Sequence, residues 1–205
     1  MSKQEALKIM LNCSKMYQQN LENKNILYII QDRVGKLNYL EVTFLSRNFL
    51  HLTGIKILNS KIKSSTEFYN LCIKKQLSIS DFEFNTNGTT IKKLDILPSV
   101  MQIHKTARII GKYNNLKKYL STEQLIGTIN YCIGCVNENN YYIPNTVLKE
   151  DIRYIVEKQY RVMFILRKGI KDTKYNEITY KNKKILEDKQ YLKICKKIEL
   201  NDKDI

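Results

Sequence analysis

Between residues 37 and 45, Leu40, Val42 and Phe44 alternate with Tyr39, Glu41 and Thr43. A period of two is the mark of a strand with one buried face, and a run this regular rejects a helix. The apolar run Ile26–Gln31 precedes it across Arg33-Val34-Gly35-Lys36, so the segment predicts a hairpin. Similar β-rich runs follow: Gln124–Val136, then Tyr141–Leu148 across the polar turn Asn137-Glu138-Asn139-Asn140, with Pro144 confining the second to an edge or a strand end. Last come Tyr160–Arg167 and Tyr175–Tyr180, joined by a loop containing Gly169. Regular alternation in that late strand puts Arg161, Met163, Ile165 and Arg167 on one face and Val162, Phe164 and Leu166 on the other.

Helical spacing occupies other stretches. Ala6, Leu7, Met10, Leu11 and Ser14 recur at three- and four-residue steps, with Ser2 and Glu5 as a capping box. Ser46 is the expected N-cap of a short helix through Leu52 closed by Gly54. Ser64–Leu77 and Thr89–Leu97 follow, the latter after Asn87-Gly88 and interrupted by Pro98. Helices mixed with separate hairpins, and no βαβ rhythm, make an α+β fold with an antiparallel sheet. There is no internal repeat or Gly/Ser linker, so residues 1–180 are expected to form one domain and 181–205 a charged tail with helical potential from Lys183 to Lys197.

Composition narrows the partners. Lys and Arg total 35 against 20 acidic residues, a formal charge of +15, which attracts RNA or another polyanion, although a lysine-rich solvated surface gives the same sum. The five cysteines are odd in number and scattered, which suits a reducing cytoplasm. The N-terminus has no uninterrupted apolar signal core, and no segment approaches eighteen apolar residues, so neither export nor a membrane span is expected.

The run Phe49-Leu50-His51-Leu52-Thr53-Gly54, placed just after a hairpin, resembles a motif of small phage- and mobile-element-borne nuclease-like domains. These belong to the barnase, EndoU, colicin and RelE-like assemblage, in its fourth phage group. Phe68-Tyr69, Ser80-Asp81, and Tyr142-Ile143-Pro144 ahead of Arg161–Arg167 support the likeness, which extends over most of residues 1 to 180. The resemblance implies helices packed on a twisted antiparallel sheet, a metal-independent RNase-type activity without cofactor, a phage or prophage origin and a host-cell cytoplasmic setting. Of the assemblage's diverse catalytic residues, His51 alone maps onto this sequence with clarity.

Such cleavage needs a base for the ribose 2′-hydroxyl, an acid for the leaving oxygen and cations for the phosphorane. His51 shares a helix face with Arg47, opposite Phe49 and Leu52, and is the candidate proton carrier. Arg161, with Arg167, Thr179 and Tyr180, is expected to form a sheet surface that grips phosphate, because guanidinium binds phosphate bidentately. Lys92, Lys93, Lys105, Arg108, Lys112, Lys117 and Lys118 face a single acid, Asp95, and suit backbone tracking as well as they suit a solvated basic face. Cys132-Ile133-Gly134-Cys135 lacks a second pair, and residues three apart in a strand point to opposite faces unless Gly134 supports a bulge. Buried thiols are therefore expected and no metal. His104, after Met101 and Ile103 near Pro98, is read as structural, with a second proton carrier as the weaker alternative. Two functions remain open: an RNase-like toxin or effector, with an antitoxin as its expected partner, and a non-catalytic binding protein acting on nucleic acid or a host defence complex; a structural virion role is a weaker third, since no coiled-coil or repeat pattern suggests assembly.

Overall fold

A computed structural model describes residues 1–116 and 120–182. The chain opens with α1 (Lys3–Asn20), and Ser2 and Glu5 form the expected capping box. The hairpin β1 (Lys24–Gln31) and β2 (Leu37–Phe44) follows, then α2 (Asn48–Thr53), β3 (Ile55–Ile57), α3 (Ser65–Ile73) and β4 (Phe82–Phe84). Next come α4 (Thr89–Val100), α5 (Ile103–Thr106), β5 (Ile109–Lys112), β6 (Gln124–Gly127), β7 (Cys132–Glu138), β8 (Tyr141–Leu148), β9 (Tyr160–Gly169) and β10 (Glu177–Lys181).

Eight strands share one sheet in the order β1-β2-β8-β7-β6-β5-β9-β10, and β9 also pairs with β1. Seven strands thus close into a ring, with β10 attached outside it on β9. Among the described residues every pairing is antiparallel except a single parallel bridge, Val42 to Tyr142, between β2 and β8. The helices and this curved sheet make the α+β fold that the hairpins and helical stretches imply. Among the described residues no helix is long and apolar enough to cross a membrane.

Several local expectations are corrected. Gln124–Val136 is two strands, because residues 128–131 turn the chain back. Helix α4 runs through Pro98, which falls in the last turn, where one ladder bond is lost before the helix ends at Val100. Strand β8 is interior rather than an edge. Pro144 is tolerated there because its β7 ladder shifts register beside it and its β2 side carries only the one bridge. Ser46 does not cap α2; Arg47 occupies the N-cap without a side-chain bond, and Asn48 Oδ1 instead accepts from the Leu45 amide at 2.9 Å. Lys117 and Lys118 and the tail 183–205 lie outside the described residues.

The core forms where α1, α2 and α3 meet the sheet. Ala6, Met10, Cys13 and Tyr17 are the inward stripe of α1, all but sealed from solvent. Tyr17 anchors an aromatic group, its ring 5.3 Å from Phe49, 5.7 Å from Tyr69 and 6.3 Å from Phe44, and its hydroxyl donates to Leu45 O at 2.8 Å. Phe49 also stacks on Phe68. Because Phe49 is wholly buried at this junction, Phe49→Ala should cost about 3–5 kcal/mol of stability. Urea unfolding should show a lower midpoint with an unchanged slope, and a loss below about 1 kcal/mol would mean that the junction collapses to fill the gap.

Candidate functional site

The hexapeptide Phe49–Gly54 folds into α2 and its cap. Phe49, Leu52 and Thr53 are buried, which leaves His51 as the exposed side chain of that short helix. Gly54 adopts the left-handed conformation (φ 67°) that ends the helix, a geometry that favours glycine. It has a second role. A Cβ at Gly54 would lie 2.5 Å from Lys93 Cδ, so the missing side chain admits the lysine stem from α4. The Lys93 ammonium then donates to His51 O at 2.9 Å. Asn85 Nδ2 and Thr90 Oγ1 donate to Gly54 O and fix the approach of α4.

His51 therefore has two cations near it, Lys93 bonded to its backbone carbonyl and Arg47 four residues earlier in the chain. Desolvation, Lys93 and Arg47, in that order, lower its pKa from the ordinary 6.5, so the ring is neutral near pH 7. Burial brings Lys93 down to about 8. Arg47 is ion-paired with Glu138 at the end of β7, which ties the start of α2 to the β7–β8 hairpin. Neither the closeness of Lys93 nor the role of Glu138 is visible in the spacing of the sequence.

Arg161, Arg167 and Thr179 do not join this group. Arg161 is opposite Gln31 at the far end of the β1–β2 hairpin, whereas α2 follows Phe44, which pairs with Lys24. Eight-residue strands span roughly 23 Å. The expected shared face of Arg161 and Arg167 is also corrected. Ile29 pairs with Phe164 and Ile30 with Val162, so Met163 is an extra residue that breaks the alternation. Arg167 emerges on the helix side, and its guanidinium is consumed by Glu177 (2.7 and 2.8 Å) and Asn20 O (2.9 Å). Arg161 emerges on the other side. Thr179 is the bulged residue of β10, and its hydroxyl donates to the carbonyls of Ile165 and His104, which fastens α5 to the sheet.

The basic stretch is divided among elements. Lys92 is exposed on α4, Lys93 lies over Gly54, and Lys105 is exposed on α5. Arg108 stacks on the Tyr180 ring at 3.8 Å, and Lys112 pairs with Glu157 at 3.3 Å. Asp95, the lone acid of the run, pairs with Lys149. Cys132 and Cys135 are buried in different apolar clusters, as opposite strand faces require, and the register shift beside them places its extra residue, Asn145, on β8 rather than at Gly134. Among the described residues no three His, Cys, Asp or Glu side chains are placed to hold a metal. Asp81 is buried and structural, accepting from Asn59 Nδ2 at 2.6 Å and the Ser78 amide at 2.7 Å.

His104 is buried, and its Nδ1 has no hydrogen-bond partner among the described residues. Desolvation first, then Arg167 and Lys105, hold its pKa at about 4, against a weaker upward pull from Glu177. A histidine depressed in the folded state binds fewer protons there than in the unfolded chain, so its contribution is intact above pH 6.5 and is lost as pH falls toward about 4. Acidification across that window should remove on the order of a few kcal/mol. Urea melts of His104→Leu should show a flatter dependence there; parallel profiles would assign the acid sensitivity to other groups.

A family model described as phage-Barnase-EndoU-ColicinE5/D-RelE like nuclease4 matches residues 9–184. No curated protein and no solved structure gives a match.

Proposed function

Because the chain belongs to the fourth group of phage barnase–EndoU–colicin–RelE-like nucleases, we propose that it is an RNase-like effector or toxin that cleaves RNA without a metal. The observation that carries this is the exposed His51 imidazole on α2 with two cations close enough to lower its pKa, Lys93 on the His51 carbonyl and Arg47. His51 takes the proton from a ribose 2′-hydroxyl, and the 2′-oxygen attacks phosphorus. The bond to the 5′-oxygen breaks, Lys93 supplies that oxygen with a proton, and a 2′,3′-cyclic phosphate remains. Arg47 and the Lys93 ammonium oppose the charge of the phosphorane. A base whose pKa is lowered and an acid near 8 are both in their active forms at neutral pH.

The separation of His51 from Arg161 favours one competing reading, a non-catalytic protein that binds nucleic acid or a host nucleoprotein complex through its charge. The two diverge in a simple assay. Purified protein should degrade RNA in EDTA, and His51→Ala should slow this by about 10²–10⁴-fold while leaving the thermal midpoint unchanged. RNA left intact by micromolar protein sinks the catalytic reading and leaves the binding one.

The pH profile tests the roles. Activity should rise through an acidic limb below 6.5, as His51 loses its proton, and fall through an alkaline limb near 8, as Lys93 loses its own. Lys93→Met removes a cation that lowers the His51 pKa, so the acidic limb should move to higher pH and the alkaline limb should vanish. Unmoved limbs would remove Lys93 from the mechanism.

A further inference from the structure

The chain has six arginines, and they divide evenly. Arg47, Arg153 and Arg167 are paired with Glu138, Asp151 and Glu177. Arg33, Arg108 and Arg161 have no carboxylate partner among the described residues, and all three line one cleft of about 580 Å³. Arginine is the side chain whose fork fits a phosphate through two parallel hydrogen bonds, so three unpaired guanidinium groups around one hollow describe a site short of an anion.

The cleft follows from the topology. Strand β9 gives one edge to two partners, β5 at Tyr160 and Arg161 and β10 from Phe164 onward. These partners diverge between the two contacts, and the fork opens there. Val162 N donates to Arg108 O at 2.9 Å on one branch, and Asn182 N donates to Met163 O at 2.8 Å on the other. The β1–β2 turn, carrying Arg33, closes the open side. The acid in the lining, Asp32, is already occupied: its carboxylate accepts from the Val34 and Lys36 amides and from Lys158 Nζ. Arg108 is held in place by its stack on Tyr180 and by bonds to Lys105 O and Ala107 O. Tyr160 and Tyr180, both half-buried, supply aromatic walls, and a volume of this size accommodates a small ligand. Cationic side chains lining a groove together with aromatic rings are the means by which single strands are gripped by backbone and base together.

We propose that this fork is a second nucleic-acid site, separate from His51, which binds single-stranded RNA with phosphates on Arg33 and Arg161 and a nucleotide against the tyrosines. Its choice of ligand rests on the RNA reading above; its existence rests on the unpaired arginines. A strand bound at the fork is held at the opposite end of the β1–β2 hairpin from the imidazole.

The test uses the full chain carrying His51→Ala, so that binding is measured whether or not the protein cleaves. Fluorescence anisotropy with a labelled oligouridylate should show affinity falling about tenfold or more in Arg33→Ala/Arg161→Ala. The slope of log K against log salt should shrink by about 1.4, or 0.7 for each lost phosphate contact. Lys61→Ala/Lys63→Ala, which removes the same charge from an exposed loop, should leave most of the affinity. Equal losses in the two double variants, or none in the arginine variant with its melt unchanged, overturn the site. Displacement of the oligonucleotide by polyphosphate of matched charge as readily as by unlabelled RNA would overturn the nucleotide assignment.

Discussion

Strand β9 is the member on which the architecture turns. It pairs with β1 along one edge and with both β5 and β10 along the other, so it closes the ring and splits it at the same place. Its interior residues serve two cores. Val162 and Ile165 face the helices, while Met163, Phe164 and Leu166 join Leu27 and Ile29 on the reverse side. A strand buried on both faces reads as an unbroken apolar run, and Val162–Leu166 is one. The cleft exists because, on the edge opposite β1, β5 pairs with β9 before the bulge and β10 pairs with it after the bulge.

The proposed catalytic centre depends on a much smaller piece of chain. In six residues, the Phe49–Gly54 motif supplies an anchor in Phe49, a helix turn that holds His51 outward, and a glycine that lets Lys93 lie across the cap. The apolar members are there to immobilise the polar one. An imidazole on a six-residue helix would be poorly positioned without Phe49 packed on Tyr17, Phe68 and Tyr69.

Much of this was legible from local pattern. The capping box at Ser2, the β1–β2 hairpin, the helix stop at Gly54 and the outward course of His51 all follow from spacing and turn chemistry, which act over a few residues. The misses have different causes. The interior place of β8 is settled by β2, a partner distant in sequence, whereas the β6–β7 turn is hidden inside a strand-like run and α4 passes Pro98 because that residue falls in its last turn. The bulge at Met163 carries no glycine to announce it, and it alone puts Arg161 and Arg167 on opposite faces of β9. In the sequence Lys93 is one charge among many, because its contact with His51 spans 42 residues of separation. In the sequence Arg33 is only a member of a turn.

Met163 also sets how this region of the gene can change. Residues before it and after it are out of phase by one, so loss of a single codon there would restore a strict two-residue period. That would exchange the two faces across residues 160–162, turning Arg161 toward the helices and Val162 toward the reverse side of the sheet. Point changes along β9 alter one contact apiece, whereas a change of length inverts a surface. The strand should therefore drift in residue identity far more freely than in residue count.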